Sequence, residues 1–223
     1  MTAENAKAAV MTVASVNVGL PREVTWHGER VLTGIYKEPV PGRVAVRMLN
    51  LDGDRQADLR VHGGAAKAVY CYPCEHYDYW KAVLARPELP CGMFGENLTT
   101  TGMDEHSVHL GDEFAIGTAR VVVTQPRMPC YKLGIRFESD SMVKSFLSSG
   151  RTGFYVAVTR EGDVGKGDAI VPIGRHPAAV RVSDVTRLYV AKRFGRDEHA
   201  IFERALTVAA LPDSWKDYLR RRL

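Results

Sequence analysis

Cys130 stands in the stretch QPRMPCYKLG, directly after Pro129 and between Arg127 and Lys132. Pro126 and Pro129 cannot extend a regular hydrogen-bonded ladder, so the segment reads as a shaped loop. Two cations beside a loop cysteine favour its thiolate. A thiolate held in this way can serve as a nucleophile, a redox partner or a metal ligand. Spacing alone does not choose among the three.

Other groups compete for the chemistry. Cys71-Tyr-Pro-Cys74 falls at a strand-to-helix junction and fits the C-x-P-C pattern of thiol–disulfide oxidoreductases. Such a fold needs strands alternating with helices, whereas this chain offers a long run of strands, so two packing cysteines are the simpler reading. His76 lies near the pair, but no second pair at a suitable spacing completes a zinc site. The run LDGDRQAD (Asp52, Asp54, Asp58) invites a calcium loop, yet Ala57 and Gly63 occupy the positions that need Gly and Glu. Its carboxylates more simply anchor neighbouring arginines or face solvent.

Three further loops are each ambiguous. In HGGAAK, Gly63 and Gly64 would let backbone amides approach an anion and Lys67 adds a charge, although a plain tight loop fits as well. FGENLTT places Asn97 in a stretch that also suits a capped turn. GRTGFY puts Arg151 at the mouth of a strand, suited to an anion or to solvent. These loops acquire meaning only if they converge on Cys130.

The elements that must position them are mostly strands. TVASVNV, RVAVRML, AVYCY, SVHL, EFAI, ARVVVTQ and FYVAVTR are rich in β-branched and alternating residues. VTWHGERVL reads as a hairpin turning at His27-Gly28-Glu29, and Gly111-Asp112 and Gly162-Asp163 read as turns. Many short strands at this spacing predict a barrel or sandwich. Two helices interrupt them: one after Pro73 with Tyr77, Trp80 and Leu84 on one face, and SDSMVKSFLSS, capped by Ser139 or Asp140 and ended by Gly150. Beyond Val182 three amphipathic segments follow, opened by Ser183, by Asp197 and near Pro212 and Asp213.

Composition sets the limits. The chain has 223 residues, 45% of them hydrophobic, enough for one core and a small appendage. No apolar run approaches the ~18 residues of a membrane span. The N-terminus is a poor signal peptide, and four cysteines without a paired framework suit a reducing, cytoplasmic setting. The net charge of +4 lies wholly in the stretch from Arg181 to Leu223, where ten Lys and Arg face six Asp and Glu. A neutral body with a basic tail argues against a nucleic-acid-binding protein.

Four separated motifs occur in order between about Val13 and Ile173: DGDRQADLRVHGGAAKAVYCYPCEHYDYW, FGENLTTTG, GDEFAIGTARVVVTQPRMPCYKLGIRF and GRTGFYVAV. Together they resemble the MOSC domain family, in its YiiM-like branch. The tail with LPDSW is similar to the three-helix domain that ends this branch. The second cysteine of C-Y-P-C departs from the family texture. The resemblance implies a mainly β fold, a MOSC-type β-barrel over 13–175 with a few helices, followed by a three-helix module over 181–223.

The same resemblance implies molybdenum cofactor (Mo-molybdopterin), with Cys130 as the protein ligand to the metal. A soft sulfur suits a soft metal. Reduction of N-hydroxylated compounds, such as hydroxylaminopurines and hydroxylamines, to the amines is the activity implied. Asn97 is then expected to hydrogen-bond at cofactor or substrate and His62 to supply a proton. Gly63, Gly64, Lys67, Arg127, Lys132 and Arg151 are expected around the cofactor, and Tyr72, Phe94 and Tyr131 as rings able to stack on a base. Two other classes stand beside this one: a sulfur carrier through a persulfide on Cys130, and a thiol–disulfide enzyme using Cys71 and Cys74. Expected partners are a small N-hydroxylated substrate and an electron-donor protein of ferredoxin, flavodoxin or flavin-reductase type, drawn by the basic tail. Packing of that tail against the barrel, or a homodimer interface, competes with the donor role.

Overall fold

A computed structural model describes residues 10–58 and 63–222. In chain order its strands are β1 (Thr12–Val18), β2 (Arg22–Trp26), β3 (Glu29–Thr33), β4 (Glu38–Pro39), β5 (Arg43–Val46) and β6 (Val69–Pro73). They continue as β7 (Leu98–Thr101), β8 (Glu113–Ile116), β9 (Ala119–Pro126), β10 (Phe154–Arg160), β11 (Gly162–Gly165) and β12 (Ile170–Gly174). Eight form one sheet in the order β12-β8-β9-β10-β6-β7-β1-β4. Its pairs are antiparallel except β6 with β7.

The sheet curls back on itself without closing as a complete barrel. A single antiparallel bridge, Thr12 to Ala169, joins β1 to the segment entering β12. The fold is therefore mainly β, as expected, with a partly open wall. The hairpin β2–β3 turns at His27 and Gly28, both at positive φ, as a two-residue loop requires.

β6 shows how the sequence builds two cores. All five of its residues are buried, so the strand reads as a continuous apolar run. Alternation sends Val69 and Cys71 into one apolar cluster and Tyr70 and Tyr72 into another. Against the second cluster lies α1 (Glu75–Leu84), whose Tyr77 and Trp80 are buried there.

Two local expectations give way. SVHL is not a strand; its backbone pairs irregularly with the chain ahead of the tail, Leu110 N–H to Val180 O at 2.8 Å and Val182 N–H to Val108 O at 3.0 Å. Gly162-Asp163 belongs to β11, paired with β5, rather than to a turn. One helix was not expected, α2 (Tyr131–Phe137), too short and too close to Pro129 to show a period. Gly134 allows it to pack tightly: a Cβ there would stand 3.0 Å from the Ser139 carbonyl oxygen. The next helix, α3 (Met142–Ser149), starts at Ser141 rather than Ser139 or Asp140 and ends at left-handed Gly150.

The tail forms α4 (Val182–Val190), α5 (Arg196–Leu206) and α6 (Asp213–Arg220). Ser183 does not cap α4; Arg181 does, its N–H donating to Asp184 Oδ2 at 3.3 Å. Gly195, not Asp197, opens α5. Val185, Leu188, Phe202 and Leu219 are fully buried in the same cluster as Val121 and Val123 of β9. Each such side chain contributes roughly 1.5–3 kcal/mol of burial. The three helices are thus packed on the sheet and share its core. No helix among the described residues is long and apolar enough to cross a membrane.

Candidate functional site

The Cys130 loop leaves the sheet where Pro126 ends β9. Arg127 N–H donates to Gly153 O at 3.2 Å and pins the loop beside the start of β10. Cys130 itself is extended (φ −121°, ψ 172°), and its carbonyl accepts from Leu133 N–H at 2.9 Å as α2 begins. Its half-buried side chain borders two clefts.

The first cleft runs between segments 33–37 and 54–57 and the Cys130 loop. Five cationic side chains line it, Lys37, Arg55, Lys67, Arg127 and Lys132, against the carboxylate of Asp54. Such an excess favours an anionic occupant. Asn97 lines it as well, with its side-chain groups engaged: Oδ1 accepts from Tyr70 N–H at 3.0 Å, and Nδ2 donates to Asp54 Oδ2 at 2.9 Å. Asp54 Oδ1 accepts from Gly19 N–H at 3.0 Å and pairs with the buried Lys37 ammonium. Burial lowers the Lys37 pKa, and Asp54 opposes that shift. Neither Lys37 nor Asp54 was expected at a site. Asp54 carried only a signal for a calcium loop, and Lys37 carried none.

Arg127 is 5% exposed, and its Nη1 has no hydrogen-bond partner among the described residues. A buried donor left in this state costs about 1–3 kcal/mol, unless a ligand supplies the acceptor. Lys67 ends a 3-10 turn (Ala65–Lys67) that follows left-handed Gly64. Burial lowers its pKa, and the charge of Cys130 opposes that.

Asn97, Lys67, Arg127, Lys132 and Cys130 therefore converge, while the remaining expected residues do not. Gly63 and Gly64 lie just upstream of Lys67, outside the lining of the cleft. Arg151 borders neither cleft; its guanidinium stacks 4.0 Å over the Tyr79 ring and reaches Ser149 O at 3.3 Å. A cation–π contact takes the place of an anion. His62 lies outside the described residues. Tyr72 and Phe94 are fully buried and stack on each other at 4.5 Å, and exposed Tyr131 borders neither cleft. None of the three presents a ring to a base in either cleft.

The FGEN loop is organised by Glu96. Its buried carboxylate accepts from Gly92 N–H at 2.8 Å, Phe94 N–H at 3.1 Å, the Thr99 hydroxyl at 2.8 Å and the Tyr77 hydroxyl. Burial raises the Glu96 pKa and these donors oppose the shift. Glu96 thereby presents Asn97 to the cleft.

Among the described residues, which include all four cysteines, there is no disulfide. Burial pushes the Cys71 thiol up to about 12. Burial, followed by the charge of Glu75, pushes Cys74 up to about 11. Both are protonated near neutrality, the wrong state for disulfide exchange. No group of three or more His, Cys, Asp or Glu that could hold a metal ion occurs among the described residues. Cys130 would be a lone protein ligand.

The second cleft, about 350 Å³, opens between the Cys130 loop and the C-terminal helices. It shares Lys67, Cys130 and Tyr155 with the first and is otherwise bounded by Tyr189, Trp215 and Tyr218 among others.

Comparisons with known proteins place this geometry. The MOSC domain matches residues 58–171, and the YiiM-like, 3-alpha helix domain matches residues 182–223. The chain is 40% identical to the uncharacterized protein YflK of Bacillus subtilis (strain 168), over 92% of this chain and 91% of that one. It is 34% identical to a protein named reductase from Gibberella moniliformis (strain M3125 / FGSC 7600), over 74% of this chain but only 30% of the relative. The crystal structure of YiiM from Geobacillus stearothermophilus superposes with a TM-score of 0.79 at 34% identity, covering 96% of this chain and 99% of that one.

Proposed function

The chain belongs to the MOSC domain family and ends in the YiiM-like three-helix domain, and on that premise we propose that it is a molybdenum-cofactor-dependent reductase of N-hydroxylated compounds. The observation that carries the proposal is the half-buried Cys130 facing a cleft of five cations, one of them a buried arginine with an unpartnered nitrogen. Those residues fit the cofactor: a soft sulfur for the metal, and cations and an orphaned donor for anionic and carbonyl groups. The relative named reductase supports the reaction class.

Cys130 would hold the metal, with Lys67, Arg127 and Lys132 neutralising the thiolate and the anionic groups beside it. When bound, the cofactor supplies the two electrons that break the N–O bond. The overall change is R-NHOH plus two electrons and two protons to R-NH2 and water. Lys37 is placed to provide one proton from Nζ to the departing oxygen: it lines the cleft, and its burial makes the ammonium a stronger acid than usual. Asp54 holds that ammonium in place, and Asn97 fixes Asp54. Asn97 is therefore a positioning residue.

Enzyme made in a cofactor-producing host should reduce hydroxylamine with a small dye as electron donor. Cys130→Ser should remove that activity while the cofactor-free protein melts within a few degrees of the parent, since a single substitution of this kind costs at most ~1 kcal/mol. Near-parent turnover in Cys130→Ser would contradict the role of the thiolate.

A further inference from the structure

Lys67 and Cys130 border both clefts, so the place of the Lys67 ammonium decides how much positive charge the sulfur meets. That place depends on one 3-10 turn (Ala65–Lys67), closed by Lys67 N–H on Gly64 O at 2.9 Å. A turn of three residues has little stability of its own and takes its position from what holds it. Two side chains of β9 hold it. Gln125 Nε2 donates to Ala66 O at 3.2 Å, and the Thr124 hydroxyl lies 2.7 Å from the same carbonyl. That hydroxyl also lies 3.0 Å from Tyr155 O and has one hydrogen to share between the two. Gln125 is therefore the steadier donor to the turn.

The C-terminal module decides which way the Gln125 amide faces. A glutamine can present its oxygen or its nitrogen in a given direction, and its neighbours select between them. An indole N–H donates and cannot accept. Trp215 Nε1–H donates to Gln125 Oε1 at 2.5 Å, which turns the oxygen toward α6 and leaves Nε2 for Ala66 O. Both side chains are buried, so the amide is shielded from water. Trp215 is itself fixed by the rings of Tyr189 and Tyr218, with centroids at 5.7 and 5.8 Å.

We propose that Trp215 is a positioning residue for Lys67: through Gln125 and Ala66 O, the three-helix module sets the cationic charge beside Cys130. This rests on the reading of Lys67 as a cation of the cofactor cleft and says what puts it there. The module thus acts on the far side of β9 through one oriented amide, in addition to sharing the core.

Iodoacetate carries a negative charge and iodoacetamide does not. The ratio of their rates at Cys130, in full-length, cofactor-free protein at one pH and low salt, therefore reads the cationic field at the sulfur. Lys67→Met should lower the ratio about threefold, the scale of one charge across a wet cleft. Trp215→Phe keeps a ring and loses the N–H, and Gln125→Met keeps the length and loses the polar atoms. Each should lower the ratio at least about twofold and speed amide exchange at Lys67 and Ala68 about fivefold, as expected when one hydrogen bond is lost. Ile201→Val thins the module core within α5, away from these bonds, and should leave both readings at the parent value. A parent ratio in Trp215→Phe, a ratio that Lys67→Met does not change, or an equal fall in Ile201→Val overturns the proposal. Molybdenum content of the parent keeps the two readings apart. The expected ratios in a chain that takes up no molybdenum would retain the positioning role and refute the reductase, and unchanged ratios in a chain that takes it up would do the reverse.

Discussion

Cys130 differs from Cys71 and Cys74 in what surrounds it. Cys71 has no exposure and a thiol near 12, and Cys74 sits at the start of α1 with a thiol near 11. At pH 8 a thiol of pKa 11 is ionised to roughly one part in a thousand. Iodoacetamide at pH 8 should therefore modify Cys130, half-buried beside Lys67 and Arg127, before Cys74, with Cys71 last. Raising the pH toward 11 should bring Cys74 up, because its thiolate form then populates. Peptide mapping checks the order, and equal early labelling of Cys74 and Cys130 would contradict it. The proline and cation pattern around Cys130 was legible in the sequence because it is local. Lys37 and Asp54 were not legible, since their meeting depends on the sheet bringing 33–37 and 54–57 together. Arg151 misled for the same reason: only the fold reveals that Tyr79 waits for its guanidinium.

Among the elements, the loop around Glu96 is the most exposed to a single change. Its carboxylate serves two backbone N–H groups and two hydroxyls, all buried. Glu96→Ala leaves these donors without their acceptor and should cost ~3 kcal/mol or more, read as a lower urea midpoint. Loss below ~1 kcal/mol would mean that water replaces the carboxylate fully. Strands with clean alternation, such as β8 and the first half of β10, were readable from residue type. Helix α2 was not, because seven residues after a proline show no period, and SVHL was mistaken for a strand because its residue types suit one while its backbone makes only an isolated bridge, His109 to Arg181.

Across the whole molecule, the arginines of the basic tail fall into two kinds that the sequence could not separate, those engaged within the module and those on its surface. Arg222 reaches the Tyr218 hydroxyl and the carbonyls of Leu188, Tyr189 and Ala191, and so braces the module. Arg220 pairs with Asp217 at 2.8 Å on the surface, and Arg221 is exposed. An acidic electron donor would be drawn to this face through Arg220 and Arg221 rather than Arg222. Arg220→Gln with Arg221→Gln should slow turnover with a protein donor at low salt, lose that effect at high salt, and leave turnover with a dye unchanged. Equal slowing with both donors would make the face structural.

In the proposed function, one cysteine, Cys130, would join this chain to molybdenum. Molybdenum and pterin content per chain, measured after expression in a cofactor-producing host, tests it without recourse to any substrate. The parent protein should carry close to one equivalent of each, and Cys130→Ser should lose most of the metal while remaining folded. Equal molybdenum in both proteins, or none in the parent, would contradict the account.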